Sequence, residues 1–579
     1  MLIRCSMPDF LMVRKGLKFS ELPYFSFYVS VKKTDLNLAD LQKINNVHVP
    51  YLINEHFLTL HVIGYALLGL SKIEYENSKF NRDEYQRFFE KTYTRYMKLA
   101  GCDDEICVNY SSPNGFFDSL YQHIVDMISQ FILFISRLPN GEINEYVYDL
   151  PVLSFSRFIV PVFSELKTIT GFPNDKPILL FIDDADNLSE IQTKIINTWI
   201  ARRSQPTISL KVFSQIGLYK TFLTSTGTLI ESPHDYQALN ISSRYTTKGG
   251  VERSDQYFEK ATTVLIKRML LYGCVKDIDP ENRGAVERAV DVFFPKYQKQ
   301  EDEIKKEIER IKQRYAKEGR GNRESDDIRR YAVPNYIRKL SGASKSKSTF
   351  RYAGIESIVH LSSGIIRYLL DAAAKMYDAT LKRNDIQSAA DVTCIPSDIQ
   401  NEVLRDKADY YLFSELPRSK ESTLESAIAI TDNPRNITEK LANLINAMGK
   451  TFQEILLSGD DDNPFSGRSE RMVFSIALSN PEKVPDELQD VFGLGVRLGF
   501  LHESYIGNKK GNGRTILYIL NRCFAPIFTL APSGFQGYLF MTNDDLMKAI
   551  HSGKCLRVIE EASSDDDLRQ LSIFDFWED

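Results

Sequence analysis

The stretch "KPILLFIDDADNLS" (Lys176 to Ser189) constrains the fold of this chain more than any other. Its apolar run has no polar alternation, so it reads as a strand covered on both faces, the signature of a parallel sheet. Such a strand delivers Asp183 and Asp184 at its C-terminal end. "YFSFYVSV" (Tyr24 to Val31), "TISLKVFSQ" (Thr207 to Gln215) and "YQALNISS" (Tyr236 to Ser243) are further strand candidates. Helical patterns lie between them, around Glu55–Lys72, Asp83–Leu99 and Gly115–Leu138, and strands alternating with helices predict an α/β fold with a parallel sheet. Ligands bind at the carboxyl edge of such sheets. One carboxylate there can hold Mg²⁺, directly or through water, and the next can polarise an attacking water. The alternative is a strand end whose acids only cap the following helix, with Asp186 or Asn187 as N-cap.

At 579 residues the chain is too long for one core, and three or four units are expected. A net charge of −5 does not announce a polyanion partner, so any nucleic-acid contact must come from a local patch. The seven cysteines have no paired spacing, no CxxC and no neighbouring histidine cluster, which argues for reduced thiols in a cytoplasm and against a zinc site. "MLIRCSMPDFLMVRKG" has a charge inside every short apolar run and is not a signal peptide. "FLTLHVIGYALLGL" (Phe57 to Leu70) is too short to span a bilayer and reads as a core helix, so no membrane partner is expected. From about Asp255 helices dominate. One, "KYQKQEDEIKKEIERIKQRYAKEG", carries Tyr297, Ile304, Ile308, Ile311 and Tyr315 on one stripe and predicts a coiled-coil-like hairpin. The segments Lys317–Arg330 and Ser341–Phe350 read as exposed loops.

Within the helical region "SSGIIRYLLDAAAKMYDA" (Ser362 to Ala379) offers a Ser-Gly turn and then Arg367 at the start of an apolar helix. A helix-borne arginine can reach a γ-phosphate from a second domain and couple nucleotide state to domain angle. Together with "ILLFIDDAD" this resembles AAA+ ATPases of the origin-recognition type. The resemblance implies ATP and Mg²⁺ as cofactors, Asp183 as Mg²⁺ ligand, Asp184 for water activation, and Ser214 or Gln215 as the polar sensor closing the next strand. It makes Arg367 the sensor arginine of a helical lid. Asp184 departs from the commoner Glu. For the arginine finger, Arg202, Arg203 and Arg244 are candidates.

A phosphate loop needs Gly-x-x-x-x-Gly-Lys-Ser/Thr between a strand and a helix. "MGKTF" (Met448 to Phe452) has Leu444 in the first glycine's place and lies in a helix-periodic segment; "GKC" at Gly553 is no better. In the family this loop opens a helix that leads to a second strand, and "MLIRCSMPDFLMV" followed by "YFSFYVSV" has that form. The expectation is therefore a chain begun after its phosphate loop, or a relative that has lost it, with weak or absent ATP binding.

"SERMVFSIALSNPEKVPDELQDVFGLGVRLGFLHESYIGNKKGNGRTILYILNRCFAPIF" predicts a helix Glu470–Ala477, a second helix Pro485–Leu498 and a β-hairpin closed by "GNKKGNG". This is the order of a winged helix, a domain that follows the lid in the origin-recognition family. Lys509, Lys510 and Arg514 at the wing are candidates for phosphate contacts with duplex DNA. The preceding helix has Arg497 against Asp486, Glu487 and Asp490, a weak base reader; protein contact is the alternative role. Beyond the acidic Asp565 to Asp567, "QLSIF" (Gln570 to Phe574) resembles the bacterial sliding-clamp pentapeptide. Gln570, Ile573, Phe576 and Trp577 also fit the archaeal and eukaryotic clamp motif. Leu571, Phe574 and their neighbours would form an apolar plug on one turn.

The predicted organisation is an AAA+ core at 1–250, a helical lid with a charged insertion at 251–395, a linker at 396–436, a winged helix at 437–560 and a disordered clamp-binding tail at 561–579. The implied function is a nucleotide-dependent, DNA-associated ATPase, cytoplasmic and near the nucleoid, able to homo-oligomerise, in replication, mobile-element maintenance or antiviral defence. The alternatives are a non-hydrolysing adaptor and a defence sensor.

Overall fold

The run Ile178–Asp183 is the middle strand of a parallel sheet of three strands. The computed structural model describes residues 6–31, 49–76, 79–136, 151–202, 208–215, 217–239, 250–318, 324–342, 349–384, 391–417, 434–457, 473–507, 514–533 and 537–556. They fall into two compact units, Met1–Leu239 and Asn240–Asp579. The first unit contains, in order, α1 (Pro8–Lys15), β1 (Phe25–Ser30), α2 (Val49–Leu70), α3 (Arg82–Phe88), α4 (Thr94–Leu99), α5 (Pro113–Ser136), α6 (Val160–Leu166), β2 (Ile178–Asp183), α7 (Glu190–Ala201) and β3 (Ile208–Val212). A π-helical turn, Phe89–Tyr93, joins α3 to α4.

The sheet order is β1-β2-β3, with Phe25 opposite Ile178, Ser30 opposite Asp183 and Ile182 opposite Val212. Each parallel crossover needs a covering layer. Helix α2 supplies much of it, packing on β1, α5 and α7. Its Ile53, Phe57, Leu60, Ile63 and Leu67 recur at helical spacing and are all buried. Phe57 stacks on Phe131 of α5 at 4.9 Å. The Phe57–Leu70 stretch is thus a core helix, and among the described residues no helix is long and apolar enough to cross a membrane. Of the fourth strand candidate, Tyr236–Leu239 is irregular and the rest lies outside the described residues.

The second unit begins with helices α8 (Gly250–Leu271), α9 (Arg283–Phe293), α10 (Gln298–Glu318), α11 (Glu324–Gly342), α12 (Ile355–Leu361), α13 (Ile366–Asn384) and α14 (Ser397–Tyr410). The charged α10 pairs with α11, so the expected loop at Lys317–Arg330 is helical where it is described. Between them the buried Glu307 takes Lys339 across the pair and Arg310 at 3.3 Å within its own helix.

The chain then forms α15 (Pro434–Leu457), β4 (Val473–Leu478), α16 (Asp486–Arg497), β5 (Leu501–Gly507), β6 (Arg514–Leu520), β7 (Gly537–Met541) and α17 (Asn543–Ser552). The sheet order is β5-β6-β4-β7. The helix expected at Glu470–Ala477 is instead β4: every residue from Val473 to Leu478 is buried, because antiparallel β6 and parallel β7 flank it. The expected hairpin is present, from Leu501 opposite Leu520 to Gly507 opposite Arg514. Helix α16 is fastened to it by Phe492, whose ring stacks on Tyr518 with centroids 3.9 Å apart. Of the α16 acids, Glu487 turns inward, pairing with the buried Lys440 of α15 and with His551 at 3.3 Å, while Asp486 and Asp490 are exposed.

The Gly-Lys-Thr of "MGKTF" lies inside α15. A Cβ at Gly449 would sit 2.2 Å from the Phe528 ring, so this glycine serves close packing and not a phosphate cradle. The neighbouring Thr451 hydroxyl is buried and accepts the Leu556 amide at 2.8 Å. Gly553 of "GKC" is the left-handed C-cap of α17. Gly449→Ala is therefore expected to cost about 1–3 kcal/mol through overpacking. Denaturant unfolding followed by circular dichroism measures it, with Phe528→Leu in the same chain recovering part of the loss. An unchanged midpoint in Gly449→Ala would show that the ring yields freely.

Candidate functional site

Burial of Ile178, Leu180 and Ile182 fixes the direction of β2, and its last residue, Asp183, emerges half-buried at the carboxyl edge. Asp183 Oδ1 accepts the Asp184 amide at 3.1 Å and Oδ2 accepts the Tyr28 hydroxyl at 3.2 Å. Tyr28 pairs with Phe181 in register, so it reaches Asp183 diagonally across the two strands. Partial burial, above all, and the negative Asp183 and Asp184 raise the Tyr28 pKa, while a hydrogen bond with Ser30 opposes them. The phenol therefore stays a donor at neutral pH.

At Asp184 the backbone enters the left-handed region, φ 57° and ψ 39°, and reverses direction. Its carbonyl accepts the Asn187 amide and side chain, each at 3.0 Å. The chain then bonds back to the third strand: Ala185 donates to the Phe213 carbonyl and Phe213 to that of Ile182, both at 2.8 Å. Asp186 accepts the Gln215 amide at 3.2 Å. Neither Asp186 nor Asn187 caps the next helix. Ser189 does, in a reciprocal box with Gln192. The helix-capping reading of the acids is thereby replaced by a loop tied across the carboxyl edge.

This edge has the chemistry of a cation site. Asp183 offers hard carboxylate oxygens, each with a further lone pair, beside a second carboxylate, as Mg²⁺ with its retained waters requires. Ser214 lies just beyond β3 on the same edge, its hydroxyl donating to the Gln215 carbonyl at 3.2 Å. Two contributors escaped sequence reading. Tyr28 needed the strand register. His61 of α2 bonds the Ser30 carbonyl through Nε2 at 2.9 Å, so that nitrogen carries the proton, and burial lowers its pKa.

The other candidates fall elsewhere. Arg367 is exposed on the first turn of α13 in the second unit. Before it, Ser363 (φ 48°) and Gly364 (φ 81°) make the turn, and Ser363 Oγ accepts the Arg522 amide at 2.8 Å. Arg202 ends α7 and donates to Ser156 Oγ at 3.0 Å. Arg514 opens β6. Arg203, Arg244, Lys509, Lys510 and the tail residues Gln570, Leu571, Ile573, Phe574, Phe576 and Trp577 lie outside the described residues.

Tyr28→Phe leaves Asp183 Oδ2 without its donor, an expected cost of about 0.5–1.5 kcal/mol at neutral pH. The Tyr28 pKa is raised on folding, so this contribution is complete below its ordinary 10.0 and is lost as pH climbs through the raised value. Denaturant unfolding of wild type and variant from neutral to alkaline pH measures a gap that must narrow above that point.

A family model described as ORC-CDC6-like matches residues 1–541. No curated protein and no solved structure matches the chain.

Proposed function

The chain belongs to the ORC-CDC6-like family, and on that premise we propose that it is a DNA-associated AAA+ protein whose nucleotide-linked edge is centred on Asp183. The observation that carries this reading is the end of β2, where Asp183 is oriented by Tyr28 and by the amide of Asp184. Asp183 takes the role of Mg²⁺ ligand, Asp184 that of water-orienting carboxylate, and Ser214 that of polar sensor. Arg367, exposed at a helix start, takes the role of lid arginine. When bound, MgATP supplies the phosphoanhydride whose cleavage resets such a switch. Family membership also favours self-association.

Residues 1–579 contain no Gly-x-x-x-x-Gly-Lys-Ser/Thr segment, so the backbone cradle for the phosphates is not supplied by this sequence. Without that cradle the edge loses its main phosphate contacts, and the expected MgATP Kd is on the order of millimolar, about −4 kcal/mol. Calorimetric titration decides this. Micromolar binding abolished by Asp183→Asn would overturn the weak-binding claim and make the site self-sufficient. In the weak-binding case the second reading gains, that of an adaptor which holds DNA and a partner without turnover.

The hairpin β5–β6 behind α16 supports a winged-helix role in DNA contact, with Lys509, Lys510 and Arg514 as phosphate contacts. Lys509→Glu with Lys510→Glu should weaken duplex binding and reduce the slope of log affinity against log salt by about 2. A wild-type affinity indifferent to salt would remove the wing from DNA binding. The tail motif is assigned to a sliding clamp. Phe576→Ala with Trp577→Ala should abolish co-purification with purified clamp, and retained binding would sink that assignment.

A further inference from the structure

Three side chains that take no part in the Asp183 edge converge on a point that none of them occupies. Cys102 follows α4, Asp104 lies two residues further on, and His123 comes from the middle of α5. The Cys102 sulfur is 3.5 Å from Asp104 Oδ2 and 3.8 Å from His123 Nε2. Nε2 and Oδ2 are 3.7 Å apart, too far for a hydrogen bond. The two sulfur contacts are within reach of a thiol hydrogen bond, and all three separations together also fit a shared cation. Tetrahedral zinc, with Zn–S near 2.3 Å and Zn–N or Zn–O near 2.0–2.1 Å, holds such donors about 3.3–3.6 Å apart. The triangle is within a few tenths of an ångström of that spacing on every side.

The surroundings fit a metal-ligand histidine. His123 Nδ1 is 3.0 Å from the hydroxyl of the fully buried Tyr93, whose oxygen can accept an Nδ1–H and so leave Nε2 as the ligand nitrogen. Nε2 is thereby the nitrogen facing the triangle, the orientation that an outer hydrogen bond gives to metal-bound histidines. Cys102 and His123 are buried, while Asp104 is 53% exposed and marks the side from which an ion would enter. The segment between α4 and α5 has no ladder of its own over Cys102–Asn109, so a link to α5 would fix a long irregular stretch.

We propose that Cys102, Asp104 and His123 form a three-ligand site for a borderline divalent cation, Zn²⁺ by its thiolate–imidazole–carboxylate set, with the fourth position taken by water. Binding releases the thiol proton to solvent and leaves the metal oxidation state unchanged. The site fastens the 102–109 segment to α5 and has no part in nucleotide binding.

The test is titration of the full chain, stripped with chelator, with Co²⁺ followed by optical absorption. One equivalent should give the intense visible bands of tetrahedral cobalt and a thiolate charge-transfer band, both displaced by Zn²⁺. Cys102→Ser should remove the charge-transfer band. Asp104→Ala, at an exposed position where folding is undisturbed, should weaken binding at least tenfold, and Tyr93→Phe by about 10–100-fold. Absence of stoichiometric binding, or a wild-type spectrum retained in both Cys102→Ser and Asp104→Ala, would overturn the site. MgATP titration of the same Asp104→Ala protein should be unchanged, which separates this site from the Asp183 edge.

Discussion

Burial of the run Ile178–Ile182 between two parallel neighbours is the interaction on which the first unit depends. Ile178, Leu180 and Ile182 are almost wholly excluded from water. Covering such side chains fully is worth about 1.5–3 kcal/mol each. The run is apolar on both faces, so what a slip by one residue would cost is the end of the strand: it would carry Asp183 away from Ser30 and Tyr28. The position of the carboxylate is a by-product of packing, and the tie from Asp186 to the Gln215 amide keeps the two strand ends together.

The second unit solves a different problem with the same means. Its C-terminal sheet has a central strand, β4, that is buried along its whole length, with α15 and α17 packed together beside it. Of the α16 acids Glu487 is paired internally, with Lys440 and His551, while Asp486 and Asp490 face solvent. Exposed carboxylates repel a phosphate backbone. The reading of the hairpin tip, and not α16, as the phosphate-contacting part rests on that charge.

Much of the architecture was legible from local pattern. The three parallel strands, the core helix at Val49–Leu70 and the hairpin partners carry periodicity, composition or flanking residues that favour the element found. "RMVFSIAL" failed because a short continuous apolar run is the same sequence for a buried strand and a buried helix; only β6 and β7, arriving later in the chain, decide it. Of the fourth strand candidate only Tyr236–Leu239 is described, and it has the composition of a strand without, among the described residues, a neighbouring strand. The carboxylate pair was visible, but Tyr28 and His61 were not, since their roles exist only once β1, β2 and α2 are assembled. The Cys102–Asp104–His123 triangle was invisible for the same reason: a histidine in mid-helix and a cysteine in a loop show no metal-ligand spacing until α5 folds against the loop.

The left-handed backbone at Asp184 restricts the history of that position as well as its chemistry. Aspartate, asparagine and glycine tolerate this conformation; longer side chains do so at greater cost. A glutamate here would have to bring a different turn with it. Position 184 can therefore drift between a carboxylate and its neutral amide by a single conservative step without disturbing the loop. A single such step would remove one negative charge beside Asp183 while the fold around it stayed the same.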